Sequence, residues 1–133
     1  MTELSEAECL SLLAEVPVGR VGVSIGALPV VLPVNFVVID GDVVFRTVAG
    51  TKFHAAAGGA VVAFEVDSWH HSGRNGWSVL VQGTATVVTD PAQLADVRLA
   101  NLDPWAVDGS ADRVVRIETV VVSGRRFRRP NGP

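Results

Sequence analysis

Apolar residues recur along the chain with two different periods, and the change between them predicts where helix gives way to strand. In residues 4–15 the apolar side chains, Cys9 and Leu12 among them, recur at helical spacing and share one face. Ser5 and Glu8 have the spacing of a capping box, which marks the start of this helix. Because Cys9 lies on the apolar face, we expect it in the core and not at a reactive site.

From residue 19 onward, runs of valine and other apolar residues separated by turn residues predict strands. Valine is stiff at χ1 and packs well on a pleated sheet. The pair Asp40-Gly41 between two valine-rich runs predicts a tight hairpin, and Gly83 predicts a bulge or bend in a long strand. The predicted strands are residues 20–24, 30–39, 42–47, 60–67, 77–89 and 113–123, with two further helices at residues 51–57 and 91–101.

The predicted strands outnumber the helices and are joined in part by a tight hairpin. We therefore predict a mainly β (α+β) fold, a six-stranded, mostly antiparallel barrel, closed or half-closed, with short flanking helices. A chain of 133 residues fits one domain, which we place at residues 1–124. Residues 125–133 are basic and then rich in proline and glycine, so we expect a flexible C-terminal tail.

Composition and charge exclude several classes of protein. The formal charge of −3 argues against a general nucleic-acid binder. No apolar stretch is long enough to span a bilayer, and no signal peptide is visible, so we expect a cytoplasmic protein. The single cysteine excludes an internal disulfide. His54, His70 and His71 lack metal-ligand spacing, so we predict no metal site.

The segment from Arg46 to Lys52 carries candidate phosphate chemistry. Arg46 and Thr47 end a predicted strand, and Lys52 lies in the first turn of the helix predicted after it. Gly50 lets the backbone turn between them. The free N–H groups at a helix start favour an anion, and arginine and lysine commonly share a phosphate. An ordinary strand–turn–helix with solvated charges is the equal alternative.

Asn35 interrupts a strand that is otherwise apolar and contains Pro33. A proline cannot donate to a strand ladder, which indicates an edge, a bulge or a backbone that faces something other than a strand. A buried asparagine needs partners for its amide, and a heteroaromatic ligand is one source of them. Hydrogen bonds from Asn35 to neighbouring backbone are the alternative.

Two further segments combine polar with apolar side chains. Trp77 and Ser78 open a predicted strand, where they offer a ring and a hydroxyl to a ligand; a tryptophan there is more often a core or interface anchor. In residues 60–67, Phe64 faces one way and Glu65 the other. The carboxylate then belongs either to a ligand site or to a solvated face.

The arginines of residues 125–129 are candidates for contact with nucleic acid or an acidic partner. Because the body of the chain is acidic, we favour a solvated extension. Its first arginines reach an anionic ligand only if the last strand ends near a pocket.

Several short stretches, taken in order, carry a resemblance to a known family. They are residues 18–23 (VGRVGV), 33–36 (PVNF), 44–47 (VFRT) with 50–52 (GTK), 63–67 (AFEVD), 76–79 (GWSV) and 124–125 (GR). This ordered set resembles the pyridoxamine 5′-phosphate oxidase-like family of FMN-binding split β-barrels. The stretches run from the first helix to the last strand, so the resemblance covers nearly the whole chain.

The resemblance implies a homodimer with two flavin sites at the subunit interface. It implies that the ribityl phosphate is held by Arg46, Thr47 and Lys52. The isoalloxazine ring would be lined by the backbone of Pro33, Val34, Asn35 and Phe36, with the Asn35 amide. The site would be completed, in part from the partner subunit, by residues of the segments that contain Phe64, Glu65, Trp77, Ser78 and Val79.

The function that follows from the resemblance is that of an FMN-dependent oxidoreductase acting on a small-molecule substrate of unknown identity. The deazaflavin F420 is the alternative cofactor, and a non-enzymatic flavin- or haem-binding protein is the alternative role. True pyridoxamine phosphate oxidases are longer and end in a basic substrate-binding segment that has no match here. No side chain is identified as catalytic. Neither a nucleic acid nor a membrane is expected as a partner.

Overall fold

A computed structural model describes residues 1–48, 58–100, 102 and 112–130. Within these residues the chain forms seven strands and two helices. In order they are β1 (Thr2–Glu3), α1 (Glu6–Leu13), β2 (Val18–Ile25), β3 (Leu28–Ile39), β4 (Asp42–Val48), β5 (Val61–Trp69), β6 (Asn75–Val87), α2 (Pro91–Leu99) and β7 (Asp112–Arg128). The predicted helix at residues 51–57, with Gly50 and Lys52, lies outside the described residues.

The strands form one antiparallel sheet that closes on itself, which confirms the predicted mainly β barrel. The order is β1-β7-β4-β3-β2-β5-β6, and β6 pairs back onto β7. The barrel is split along β3, whose residues 28–35 pair with β2 and whose residues 36–39 pair with β4. β2 in turn pairs with β5 only from Arg20 to Gly22. The two-residue strand β1, too short to predict, pairs with β7.

Two tight turns fix the register of the first strands. Gly26 and Ala27 have φ values of 54° and 67°, and Asp40 and Gly41 have φ values of 52° and 81°. Consecutive left-handed residues are the conformation that two-residue hairpins need. The hairpin predicted at Asp40-Gly41 is therefore confirmed.

Helix α1 begins as predicted and packs into the barrel core. The Ser5 side chain accepts from Glu8 N, and the Glu8 carboxylate accepts from Ser5 N, which completes the capping box. Cys9 is fully buried, and burial raises the pKa of its thiol. Its expected place in the core is confirmed. The helix sits close to β7 at Gly124, where an added Cβ would lie 2.6 Å from Cys9 Sγ.

Two apolar clusters stabilise the barrel on opposite sides of its wall. The inner cluster takes every second residue of each strand together with one face of α1, and Phe36 and Phe64 meet edge to face in it at 4.8 Å. The outer cluster lies where α2 covers β4 and β7, and it includes Val44, Val97 and Val114. Asp90 caps α2 by accepting from Gln93 N.

The C-terminal prediction is wrong in its boundary, because β7 continues to Arg128 where a strand ending at residue 123 and a tail from residue 125 were predicted. Arg125 and Arg126 pair with both β6 and β1. Backbone hydrogen bonds hold this segment in the sheet. Its sequence lacks the apolar alternation from which a strand could be predicted. The register does shift at the predicted position, between Gln82 and Gly83, but the extra residue is Val120 on β7, because Gln82 pairs with Val121 and Gly83 with Thr119.

Candidate functional site

Strand alternation sorts the predicted site residues of β3 between the interior of the barrel and its outer surface. Val34 and Phe36 are buried in the inner core. Pro33 and Asn35 alternate with them and so point outward. The Val34 and Phe36 side chains therefore do not reach a ligand on the outer surface, and only their backbone can line one.

The same alternation divides β5 and β6. Phe64, Trp77 and Val79 are buried in the inner core, so the structure assigns Trp77 the anchor role that was the alternative to ligand contact. Glu65 and Ser78 point outward between them. The two segments offer a ligand their outward side chains and not the apolar ones.

Arg46 and Asn35 lie at the point where β3 and β4 separate. Phe36 and Phe45 form the last pair between these strands, so Asn35 and Arg46 are the next residue along each strand, on the outer face. The Arg46 side chain is half-buried, and its Nη1 donates to the Leu102 carbonyl at 3.0 Å. This bond fixes the guanidinium at the point where the two strands separate, which we call the fork. Thr47 follows Arg46 on β4, and alternation turns its side chain to the opposite face.

Asn35 is half-buried at this fork. Within the described part of the chain, no residue hydrogen-bonds its side-chain amide. The alternative that Asn35 serves the neighbouring backbone is therefore wrong. A half-buried amide with both donor and acceptor capacity faces the outer surface beside a guanidinium.

A groove of about 440 Å³ lies on the outer surface next to Pro33, and sequence analysis did not identify its basic residue. Arg20 pairs with Pro33 across β2 and β3. Its Nη1 is 3.5 Å from Glu65 Oε1 and 3.5 Å from Asp67 Oδ2. The turn at Gly26 and Ala27 was the signal that could have revealed Arg20, because the hairpin register places Arg20 opposite Pro33.

The pKa of Glu65 is raised in this groove. Burial, then the hydrogen bond and the charge of Asp67, raise its pKa to about 7, against the opposing effect of Arg20. Its Oε1 is buried and makes no hydrogen bond to the described residues. A carboxyl group with this pKa exchanges a proton near neutral pH.

The described residues contain no group of three or more metal-ligating side chains placed to hold an ion. None of the helices in this part of the chain has the length and apolar character needed to cross a membrane.

Comparison with known proteins places this geometry in a family. Residues 5–126 match the family described as pyridoxamine 5′-phosphate oxidase. The uncharacterized protein Rv0080 of Mycobacterium tuberculosis is 43% identical over 132 residues, which cover 96% of this chain and 86% of that protein.

Two solved structures extend the match to the whole fold. A FAD binding protein of Mycobacterium smegmatis superposes with a TM-score of 0.84 at 39% identity, covering 96% of this chain and 99% of the other. A FAD-binding protein of Mesorhizobium loti gives a TM-score of 0.74 at 26% identity, covering 94% and 95%. The chain therefore belongs to the pyridoxamine 5′-phosphate oxidase family, as its ordered sequence stretches predicted.

Proposed function

We propose that this chain binds a phosphorylated flavin on the outer face of the barrel and works as a flavin-dependent oxidoreductase. The observation that carries the proposal is the fork between β3 and β4, where the Asn35 amide has no hydrogen-bond partner among the described residues and lies beside the fixed guanidinium of Arg46. Family membership and the FAD-binding relatives support it.

The residues at the fork fit the two polar parts of such a cofactor. Arg46 presents a planar set of N–H donors that suits phosphate oxygens. The Asn35 amide can donate to and accept from the polar edge of a flavin ring. Lys52 remains a predicted phosphate ligand from outside the described residues. The predicted role of Thr47 does not fit this surface, because alternation turns its side chain away from Arg46. When bound, the flavin supplies hydride or electron transfer, while the protein binds and orients it.

A homodimer is part of the proposal, because the outer surface near the fork includes an exposed apolar row. Val31, Gly22 and Ala63 follow one another in register across three strands. Gly22 and Ala63 leave this row flat, and Val31 at its end is 64% exposed. Exposed apolar surface of this kind marks an interface. A second copy on this surface would enclose the Arg20 groove.

The proposed cofactor is FMN, as the sequence resemblance implies, and the FAD-binding relatives make FAD the first rival, with F420 the second. Titration of the full chain with each of the three cofactors, followed by fluorescence, gives the relative affinities of the chain for them. Reduction of the bound flavin by a nicotinamide donor, and its reoxidation by oxygen or an added acceptor, then tests for an oxidoreductase. A bound flavin that none of these donors reduces would favour a carrier.

The phosphate assignment is tested by the double variant Arg46→Ala/Lys52→Ala. A hydrogen bond to a charged group is worth about 1.5–3 kcal/mol, so loss of both cations should weaken flavin binding by roughly a hundredfold or more. Arg98→Ala removes an exposed arginine from α2 and is the matched control. Wild-type flavin affinity in the double variant would remove Arg46 and Lys52 from the site.

A further inference from the structure

Two adjoining grooves lie at the end of the barrel where β5 turns into β6. Their volumes are about 600 and 650 Å³, and His70, Asn75 and Arg128 line both. Small-molecule sites have volumes of roughly 300–1,000 Å³. These grooves are not part of the proposed flavin surface. They begin at the next pair of residues between β5 and β6 after the pair that contains Ser78.

The lining of the grooves is strongly basic, in contrast to the acidic chain as a whole. Among the described residues that line the two grooves, four are arginines and none is a carboxylate. The arginines are Arg74, Arg126, Arg128 and Arg129. Such a concentration of guanidinium groups attracts an anion, and phosphate matches their geometry.

An exposed aromatic platform stands beside these arginines. The Trp69 ring stacks on Phe127 with ring centres 5.2 Å apart and planes inclined by 21°. Gly76 lies between the two in register, and a Cβ there would be 2.7 Å from the Trp69 ring. The glycine thus lets the indole lie flat against the sheet. Trp69 nevertheless remains 52% exposed.

Hydrogen bonds within the turn hold the lining in place. His70 N donates to Asn75 O at 2.9 Å, and Gly73 N donates to His70 O at 2.7 Å. The backbone of Arg129 donates to that of Arg74, which ties the end of β7 to the turn. The backbone of the lining is therefore already positioned, and a ligand would have to order only the side chains that contact it.

We propose that these grooves bind a nucleotide, with its base stacked on Trp69 and its phosphates on Arg128 and the neighbouring arginines. A tryptophan face beside guanidinium groups recognises a planar base next to a phosphate. The size of the grooves fits a single nucleotide better than a nucleic-acid strand. The ligand chemistry is that of adenosine diphosphate, supplied either as a free nucleotide or as the nucleotide half of a dinucleotide cofactor.

Calorimetric titration of the full chain with ADP tests the proposal. We expect wild type to bind ADP, and Arg128→Gln and Trp69→Leu each to weaken binding by roughly tenfold, since stacking and charged hydrogen bonds each contribute at that scale. Trp69 and Arg128 are both exposed, so we expect both variants to fold. Arg98→Ala on α2 is the matched control and should keep wild-type affinity.

Three results would overturn the proposal. They are the absence of ADP binding by wild type at millimolar concentration, wild-type affinity in both groove variants, and binding of a DNA oligomer far more tightly than ADP. Inorganic phosphate should bind more weakly than ADP, because it lacks the base.

The flavin titrations distinguish the two sources. If Arg128→Gln weakens FAD binding and leaves FMN binding unchanged, the grooves hold the nucleotide half of the flavin. If it weakens ADP binding alone, the ligand is a separate nucleotide. Because ADP is titrated without any flavin, failure of the proposed flavin site would leave this result intact.

Discussion

Glu65 shows how the environment of one residue changes its chemistry. The carboxyl group lies in the groove between Arg20 and Asp67, and its pKa rises from an ordinary value of 4.5 to about 7 on folding. The folded chain therefore holds this proton more tightly than the unfolded chain does. The resulting stability is present in full below pH 4.5 and is lost as the pH rises through about 7.

We expect the substitution Glu65→Gln to alter stability in a pH-dependent way. Glutamine is neutral at every pH, so the variant should gain stability relative to wild type as the pH rises from about 4 to about 8. Thermal unfolding of the flavin-free protein across this range measures the difference. The gain should be smaller in an Asp67→Asn background, because Asp67 contributes to the raised pKa. A difference that is independent of pH would contradict the assigned pKa.

At the scale of elements, the packing of α1 against β7 depends on Gly124. A Cβ at this position would lie 2.6 Å from Cys9 Sγ and 3.2 Å from a Leu4 methyl group, so α1 would have to move. Overpacking of this kind costs about 1–3 kcal/mol. We expect Gly124→Ala to lower the free energy of unfolding by that amount, measured by chemical denaturation.

Two variants separate this steric effect from the general effect of replacing glycine. Gly58→Ala should leave stability unchanged or slightly raised, because no atom of the described residues lies within 4 Å of its added Cβ. Cys9→Ala removes the sulfur that the new methyl group meets, so Gly124→Ala should cost less in a Cys9→Ala background. Additive costs in the double variant would show that the contact is not the cause.

Most elements were predictable because local sequence determines them. The Asp40-Gly41 turn and the Ser5 capping box act through backbone and side-chain groups within a few residues. The extension of β7 to Arg128 was not predictable in this way, because its hydrogen-bond partners on β6 and β1 are distant in sequence. Nothing in a run of arginines indicates a strand.

The candidate site was predictable only in part for a related reason. The stretches containing Asn35 and Arg46 were identified, but which side chains face outward depends on the register of each strand with its neighbours. Phe64 and Trp77 were included with Glu65 and Ser78, although alternation buries the first two. Arg20 was missed because its role arises from pairing with Pro33 and from the carboxylates of β5.

At the scale of the whole molecule, the proposed homodimer couples assembly to cofactor binding. The row of Val31, Gly22 and Ala63 itself lines the Arg20 groove, so a second copy on this row would cover the groove. A charge placed in that apolar contact would have to be desolvated, which is costly without a partner. Loss of the dimer should then lower flavin affinity even though the Arg46 fork is untouched.

The variant Val31→Glu tests this coupling. Val31 is 64% exposed in the single chain, so the substitution leaves the monomer fold intact and acts on the contact between copies. Sedimentation should change from dimer to monomer, and flavin affinity should fall with it by roughly tenfold or more. Leu99→Glu is the matched control, because Leu99 is an 85% exposed apolar residue on α2, away from the row. A monomeric wild type, or a Val31→Glu dimer with unchanged flavin affinity, would place the interface elsewhere.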